Sequence, residues 1–291
     1  MENDLLKALS KGSNKFSKGQ KIIAKYILNN YDKAAFMTAG RLGKIVGVSE
    51  STVVRFAAEL GYDGYPSMRK ALQEMIRNRL TSVQRIEVAK TMIDDNDIAR
   101  SIIGSDIQNL QATLEVLEQD NFNKFVDSVI EAKNVYIVGM RTSTSLSSFL
   151  GLYLNLLRNN VNVIRDTAAS EVYEQIIRIG KGDLFIAISF PRYSSHTVDA
   201  MNFAKKMGAM TAAITDGPAS PLSGIADVCL HAKSDMVSFL DSLVAPMSLI
   251  NAIIIAVSIK NKENLSDTFE QLETIWSENK VYEQTESNTA L

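Results

Sequence analysis

Apolar residues recur at helical spacing through the first quarter of the chain. Val53, Phe56, Ala57 and Leu60 stand at positions i, i+3, i+4 and i+7, the spacing of one face of an amphipathic helix. Three hydroxyl residues precede helical patterns where N-caps are expected: Ser17, Thr38 and Ser49. The pattern therefore predicts an all-α segment of short helices over residues 1–78.

Short runs rich in Val and Ile replace this periodicity from about residue 133. They read "NVYIVG", "VNVI", "DLFIAISF", "TAAIT" and "DVCLHA", and helical patterns lie between several of them. Runs that do not alternate with polar residues are typical of parallel strands whose two faces are both covered. The sequence therefore predicts a doubly wound α/β domain, a three-layer α/β/α arrangement with a parallel sheet.

Two other stretches lack strand-like runs. Residues 79–120 are charged and helical in pattern, and we interpret them as a linker helix that either pairs subunits or packs on its own domain. Residues 263–291 form a polar tail whose first part has a helical pattern. The predicted division is thus a helical domain over 1–78, a helical linker over 79–120, an α/β domain over 121–262 and the tail.

One apolar stretch, residues 239–259, is nearly long enough to span a bilayer. Asp241, Pro246 and Asn251 argue against a membrane span and favour a helix buried in a core or a subunit interface. The start "MENDLLKALSKGS" lacks the pattern of a signal peptide. The single cysteine, Cys229, is typical of a small buried hydrophobe in a reducing compartment, so we expect a cytoplasmic protein without a membrane partner.

Charge is distributed unevenly along a chain whose formal net charge is only -2. Residues 1–85 hold 15 Lys/Arg and 7 Asp/Glu, a balance of +8, and the remainder hold 16 and 26, a balance of -10. We call the basic segment, residues 1–85, the head, and the acidic remainder the body. This asymmetry indicates a polyanion-binding part joined to a part with a different function. Because salt screens charges beyond about 8 Å, the acidic body does not prevent the head from meeting a polyanion.

Residues 38–60 have the spacing of a helix-turn-helix. Gly43 is the small residue of the first helix and Gly47 the turn, which leaves the start of the second helix facing outward. There Arg55 can bond a guanine edge, while nearby hydroxyls can contact a phosphate or a base. The alternative is a helical hairpin with a polar outer face, and the local positive charge favours DNA. The candidate DNA-binding residues are Thr38, Ser49, Glu50, Ser51, Thr52, Arg55, Arg69 and Lys70.

Two loops with clustered hydroxyls follow predicted strands, "VGMRTSTS" after Val138 and "ISFPRYSSHT" near Ile188. In an open parallel sheet, ligands bind outside the carboxyl ends of the strands. A loop that leads into a helix offers backbone N–H groups to an anion, and Arg141 and Arg192 can each add a charged fork. The loops predict a site for a phosphate group on a small polar ligand. The alternative is ordinary serine capping of two helices.

Catalysis and metal binding have weaker support. The run "SSHTVD" brings His196 and Asp199 next to serines, but neighbours along a chain seldom form a nucleophile–base–orienter geometry. His196 and His231 lack metal-ligand partners at useful spacing, and we predict no metal, no cofactor and no hydrolytic triad. Glu171 can accept bonds from sugar hydroxyls or act as a base in an aldose–ketose proton shift, or it is a solvated helix glutamate.

With both halves considered, the chain resembles the RpiR/MurR family of bacterial transcriptional regulators. "GVSESTVVRFAAELGYDGYPSMRKAL" is similar to the family's helix-turn-helix, and "VYIVGMRTSTSL" with "ISFPRYSSHTV" is similar to its sugar isomerase (SIS) domain. The resemblance implies a DNA-binding regulator of sugar catabolism, dimeric or tetrameric, with a sugar phosphate as effector.

The resemblance also implies which residues contact the effector. Glu171 falls near the position where SIS isomerases place a carboxylate beside the sugar. One departure is Gly139-Met140-Arg141-Thr142-Ser143, where many SIS domains have Gly-x-Gly-x-Ser, and a second is the "FPRY" of the later loop. The candidate ligand-binding residues are Gly139, Arg141, Thr142, Ser143, Glu171, Ser189, Arg192, Ser194, Ser195 and Thr197.

The leading hypothesis is therefore a transcription factor without catalytic residues, which binds a DNA operator as a homo-oligomer and senses a phosphorylated sugar. The first alternative is a sugar-phosphate isomerase with a helical appendage. A second alternative is an adaptor whose basic head binds an acidic protein.

Overall fold

The computed structural model describes residues 9, 16–76, 81–86, 97–165, 169–235, 240–261 and 266–282. Contacts divide the chain into two compact units, Met1–Gln108 with Asp235–Ser242, and Asn109–Ser234 with Leu243–Leu291. The four predicted segments remain predictions.

Short helices form the N-terminal unit, as the pattern predicts. The N-caps are confirmed, because the hydroxyls of Ser17, Thr38 and Ser49 each accept a hydrogen bond from a backbone N–H of the first turn. The helices of this unit before residue 77 are α1 (Lys18–Asn29), α2 (Tyr31–Ala34), α3 (Ala39–Val46), α4 (Glu50–Glu59) and α5 (Tyr65–Ile76).

Two glycines determine how closely α3 and α4 approach. Gly47 ends α3 at φ 74°, in the left-handed region that glycine adopts without steric cost. A Cβ on Gly43 would lie 2.8 Å from the carbonyl oxygen of Val48, so only glycine fits there without a shift. Beneath the turn, Leu42, Val53 and Phe56 are fully buried. The helix-turn-helix spacing of the sequence is therefore present as a packed structure.

Polar contacts fix the other helices to this pair. Gln20 Nε2 on α1 donates to Glu59 Oε2 at the end of α4, at 2.5 Å. The hydroxyl of Tyr65 on α5 donates to the carbonyl oxygen of Met37 at 3.0 Å. Burial raises the pKa of Tyr65 to about 12, against the opposing charge of Arg69, so the phenol stays protonated and can donate.

The second unit contains the predicted parallel sheet. Its strands are β1 (Val135–Gly139), β2 (Val161–Ile164), β3 (Leu184–Ile188), β4 (Met210–Thr215) and β5 (Val228–His231). They lie in the order β2-β1-β3-β4-β5, and every neighbouring pair is parallel. The helices that follow α5 are α6 (Ile98–Val116), α7 (Gln119–Glu131), α8 (Ser143–Leu157), α9 (Ala169–Ile176), α10 (Ser195–Lys206), α11 (Val244–Lys260) and α12 (Ser266–Glu278).

Alternate residues of the strands serve two separate apolar layers. Val135 and Ile137 of β1 pack with α7, α8 and α11 on one face. Tyr136 and Val138 pack with α9 and α10 on the other face. Both faces of the sheet are therefore covered by helices, and the three-layer α/β/α prediction is confirmed.

The apolar stretch over 239–259 contributes α11, which packs in the first of these layers through Leu249, Ile250 and Ile253. No helix in the described ranges is both long enough and apolar enough to cross a membrane. The helical pattern at the start of the polar tail is present as α12.

Candidate nucleic-acid interface and anion site

The start of α4 carries an outward-facing group of hydroxyls. Ser49 Oγ lies 2.9 Å from Ser51 Oγ and 2.8 Å from Thr52 Oγ1, and it also accepts the N–H of Thr52. Ser51 is exposed and Thr52 is half-buried. The N-terminal end of α4, the second helix of the helix-turn-helix, is thus exposed to solvent, as the end that contacts base edges must be.

Arg55 lies one turn further along the same face. Its Nε donates to the carbonyl oxygen of Ser51 at 3.3 Å, which orients the exposed side chain along the helix. Glu50 lies against α3, because a Cβ on Gly40 would come within 3.0 Å of Glu50 Oε2. The structure therefore brings Ser51, Thr52 and Arg55 together and turns Glu50 toward the preceding helix.

The two basic candidates on α5 differ in exposure. Lys70 is exposed, whereas Arg69 is half-buried, and its Nε is buried without a hydrogen-bond partner among the described residues. Thr38 is exposed and caps α3. Of the two α5 residues, Lys70 has the better access to a phosphate.

A groove beside the recognition helix was not foreseen from the sequence. The start of α1 forms its other wall, and its lining residues are Ser17, Gly19, Gln20, Val48, Ser49, Thr52, Arg55 and Glu59. Helices α1 and α3 also carry exposed cations: Lys18, Lys21, Lys25, Arg41 and Lys44. Periodicity predicts α1 but carries no signal for which helix it lies beside.

In the second unit, the two hydroxyl-rich loops leave neighbouring strands at one edge of the sheet. Gly139 at the end of β1 is paired with Ile188 at the end of β3. From β1 the chain passes through α8 to β2 on one side, and from β3 it passes through α10 to β4 on the other. Such a reversal of strand order opens a crevice at the carboxyl edge, where ligands of open α/β sheets bind.

The first loop turns tightly from β1 into α8. A Cβ on Gly139 would lie 2.4 Å from the carbonyl oxygen of Ser143, so the turn requires glycine. Thr144 Oγ1 donates to the carbonyl oxygen of Gly139 at 2.9 Å, and Ser143 is buried. Thr142 is the N-cap residue of α8, but its side chain makes no capping bond. Arg141, exposed at the tip, has φ 58°.

The second loop is linked to the first and supported by β4. Ser194 Oγ donates to Met140 Sδ at 3.3 Å, and the N–H of Ser194 donates to Ser189 Oγ at 3.4 Å. Tyr193 donates to Asp216 Oδ1 at 2.7 Å. Sequence reasoning missed this support, although Asp216 directly follows β4, where side chains at the carboxyl edge are expected. Ser189 is itself buried and shapes the loop.

The start of α10 presents hydrogen-bond donors without acceptors. Ser194 is its N-cap residue but makes no capping bond. Within the described part of the chain, the N–H groups of Ser195, His196 and Thr197 have no acceptor. Thr197 Oγ1 is buried and also lacks a partner there. The side chain of Ser194 therefore does not cap this helix in the structure, and the free N–H groups with the Thr197 hydroxyl could donate to an anion.

The remaining predicted residues lie apart from this cluster. Glu171 is exposed on α9, and only its backbone carbonyl, which accepts from Gln175 Nε2, has a hydrogen bond among the described residues. Arg192 is exposed near the start of α10, with φ 64°. The loops that carry Arg141, Thr142, Ser194 and Ser195 thus leave neighbouring strands at the same edge of the sheet, and the carboxylate of Glu171 has no hydrogen bond among the described residues.

The description of Cys229 as a buried hydrophobe needs correction. Cys229 is half-buried, and its Sγ lies 3.4 Å from both Ser223 Oγ and His231 Nε2. Burial raises the pKa of the Cys229 thiol and lowers the pKa of His231. Both groups are consequently neutral near pH 7, so the thiol is polar and paired but not activated.

Both parts of the chain match known protein domains. Residues 3–79 match the family described as the helix-turn-helix domain of the rpiR family, and residues 128–256 match the SIS domain. The chain is 23% identical to an uncharacterized HTH-type transcriptional regulator of Caldanaerobacter subterraneus subsp. tengcongensis, across 96% of this chain and 99% of the relative.

Two solved structures share the fold. The sugar isomerase domain of an RpiR transcription factor from Sphaerobacter thermophilus has a TM-score of 0.59 at 26% identity, covering 61% of this chain and 99% of that one. The Vibrio vulnificus NanR protein, solved in complex with ManNAc-6P, has a TM-score of 0.55 at 22% identity, covering 94% of this chain and 97% of that one.

The unpaired hydroxyl of Thr197 predicts an unusual effect on stability. Thr197→Val keeps the shape of the side chain and removes the buried polar group, so we expect the free energy of unfolding to rise by about 1 kcal/mol. The measurement is urea denaturation of the full chain, followed by circular dichroism.

Thr211→Val is the matched control. Thr211 is equally buried, but its Oγ1 donates to Asp227 Oδ2 at 2.8 Å, so its replacement should lower stability by about 1–3 kcal/mol. A loss of stability in Thr197→Val as large as that in Thr211→Val would show that the Thr197 hydroxyl is paired in the folded protein.

Proposed function

We propose that the chain, whose two parts match the helix-turn-helix domain of the rpiR family and the SIS domain, is a transcriptional regulator of that family. In this proposal it binds operator DNA through α4 and senses a phosphorylated sugar at the crevice between β1 and β3. One contrast carries the proposal. Ser17, Thr38 and Ser49 cap the starts of α1, α3 and α4, whereas α10 starts with three N–H groups and a buried Thr197 hydroxyl that have no acceptor among the described residues.

The DNA half rests on exposure and charge together. Ser51 and Arg55 project from the first turns of α4, the part of a recognition helix that meets base edges in the major groove. Exposed Lys70 and the cations around α1 and α3 supply the non-specific attraction to phosphates. The proposed division of labour is sequence reading by Arg55 and backbone attachment by Lys70.

The effector half rests on the start of α10. Three N–H groups and the Thr197 hydroxyl lack acceptors in the described structure, which matches the several acceptor oxygens of a phosphate group. That the NanR protein was solved with a phosphosugar agrees with this proposal. The carboxylate of Glu171 has no hydrogen bond among the described residues and is therefore not held in position as a base, so we propose sensing rather than isomerisation.

Regulation follows if the effector binds two states of the protein with different affinity. We propose a homodimer that presents two recognition helices to a pseudo-palindromic operator. An effector that binds one state more tightly shifts the equilibrium between the two states toward it. The difference between its binding free energies for the two states sets the size of the shift, and with it the fraction of molecules that can bind DNA.

Substitutions in the head should distinguish residues that contact base edges from residues that contact the DNA backbone. Against a duplex selected from a randomised pool, Arg55→Ala should weaken binding by roughly tenfold to a hundredfold, because a lost bidentate base contact costs about 1–3 kcal/mol. Its binding to random duplex should change little. Fluorescence anisotropy over a series of salt concentrations measures both affinities.

Lys70→Ala provides the comparison. It should weaken both duplexes alike and reduce the slope of log affinity against log salt by about 1. If Arg55→Ala weakens selected and random duplex by the same factor, Arg55 holds the backbone and the proposed reader is wrong.

The effector proposal is tested with pairs of sugars that differ only in phosphorylation. At least one phosphorylated sugar should raise the melting temperature and change the affinity for the selected duplex, because a ligand that binds only the folded state stabilises it. Its unphosphorylated parent should do neither. Thr197→Val should lose part of the thermal shift, while Thr211→Val should retain it.

A panel in which no phosphorylated sugar outperforms its parent would remove the effector proposal. Turnover of any member, abolished in Glu171→Gln, would instead support an isomerase.

A further inference from the structure

Helix α6 packs on its own chain through polar side chains. Asn109 and Thr113 are the buried residues of this helix. Thr113 Oγ1 accepts the N–H of Lys233 at 2.8 Å, and Asp106 Oδ1 accepts the hydroxyl of Ser242 at 2.6 Å. A surface helix normally packs through its apolar stripe and keeps its polar face in water. Helix α6 has the reverse arrangement.

The apolar side of α6 is exposed. Ile103, Ile107 and Leu114 are 60%, 50% and 74% exposed, and Leu110 is half-buried. Successive members of this set are separated by four, three and four residues, the alternation by which one helix packs along another. At about 100° per residue, the four side chains lie within about 60° of arc on one side of the helix. We call these four residues the α6 stripe.

Gly104 borders the α6 stripe, and the fold of its own chain does not require it. Apart from its neighbours and the backbone of its own helix, a Cβ on Gly104 would meet no atom within 4 Å in the described part of the chain. A glycine inside a helix is less stable there than alanine. Its missing side chain does allow a second helix to approach closely, because the distance between packed helices depends on the side chains at the contact.

The charges at the two ends of α6 favour a second copy of α6, in antiparallel orientation, as the occupant of the stripe. In that orientation Ile103 of one copy lies opposite Leu114 of the other. Exposed Arg100 then lies near exposed Glu115 of the second copy. Its contact with Asp97 at 3.4 Å is also exposed, and a second carboxylate can join it. A parallel pair would instead bring two like charges together at Arg100.

We propose that the dimer of this protein depends on α6, whose exposed stripe packs antiparallel against the stripe of a second copy. This inference rests on the proposed homodimer and assigns the surface that forms it. Because α6 is already helical and held by its own chain, pairing does not carry the cost of forming the helix. The pairing also removes from water the apolar side chains that the fold of one chain leaves exposed.

Leu114→Glu is the first test, because Leu114 is exposed in the single chain and its replacement leaves that fold intact. In the dimer each new carboxylate would be buried against apolar side chains of the second copy. The dimer dissociation constant should therefore rise by at least about a hundredfold. Sedimentation velocity of the full chain over a concentration series measures this constant.

Leu152→Glu is the matched control. Leu152 is 61% exposed on α8 and lies outside the α6 stripe, so the dimer should persist in this variant. Both variants should bind a duplex that carries a single half-site as tightly as the parent protein does, which shows that their heads are folded.

Cysteine substitutions test the orientation. Under mild oxidation, Ile103→Cys combined with Leu114→Cys should give a covalent dimer, because antiparallel packing brings these two positions together between copies. Within one copy they are about 16 Å apart along the helix, too far for a disulfide. Neither single variant should cross-link, and both also control for Cys229, which is present throughout. Cross-linking of either single variant would overturn the antiparallel arrangement.

The outcomes separate this inference from the proposed function. If Leu114→Glu leaves the dimer dissociation constant unchanged, or if only Leu152→Glu raises it, the copies pair through another surface. That result overturns the inference and leaves the dimeric regulator in place. A parent protein that stays monomeric over the whole concentration series overturns both the pairing of α6 and the proposed homodimer.

Discussion

The reversal of strand order between β1 and β3 is the constraint on which the second half of this molecule depends. Because the chain leaves these two neighbouring strands toward opposite sides, no connection crosses the edge between Gly139 and Ile188. Loops that leave adjacent parallel strands in this way must bring two helix starts to one crevice. The donors at the start of α10, together with the buried Thr197 hydroxyl, have no acceptor within the described chain, and the proposed anion site rests on them.

Hydroxyl residues at helix starts form side-chain caps in the head but not at the start of α10. In the head, the hydroxyls of Ser17 and Ser49 each accept a hydrogen bond from a backbone N–H in the first turn of the helix that follows. In the second unit, Ser194 has the position of a cap, but its hydroxyl is directed to Met140 instead. The same residue type thus forms a side-chain cap at Ser17 and Ser49 and forms none at Ser194.

Local chemistry could be predicted from the sequence, and long-range placement could not. The caps, the turn at Gly47 and the strands were predictable because each depends on residues within a few positions. The contact of Tyr193 with Asp216, and the position of α1 beside α4, join residues distant in sequence, and no periodicity encodes them. The left-handed backbone at Arg141 was missed for another reason, since arginine is not a residue that signals such a conformation. Cys229 is an exception, because its polar partners Ser223 and His231 lie within six residues of it, but the apolar run around Cys229 did not indicate them.

Hydrogen exchange of the full chain, with and without a phosphorylated sugar, tests the central claim most directly. If the anion completes the start of α10, protection on binding should be strongest in peptides from 189–198, with a smaller effect at 139–147, because these amides lie at the crevice. Protection elsewhere in the second unit, with exchange at 189–198 unchanged at saturating ligand, would contradict the account.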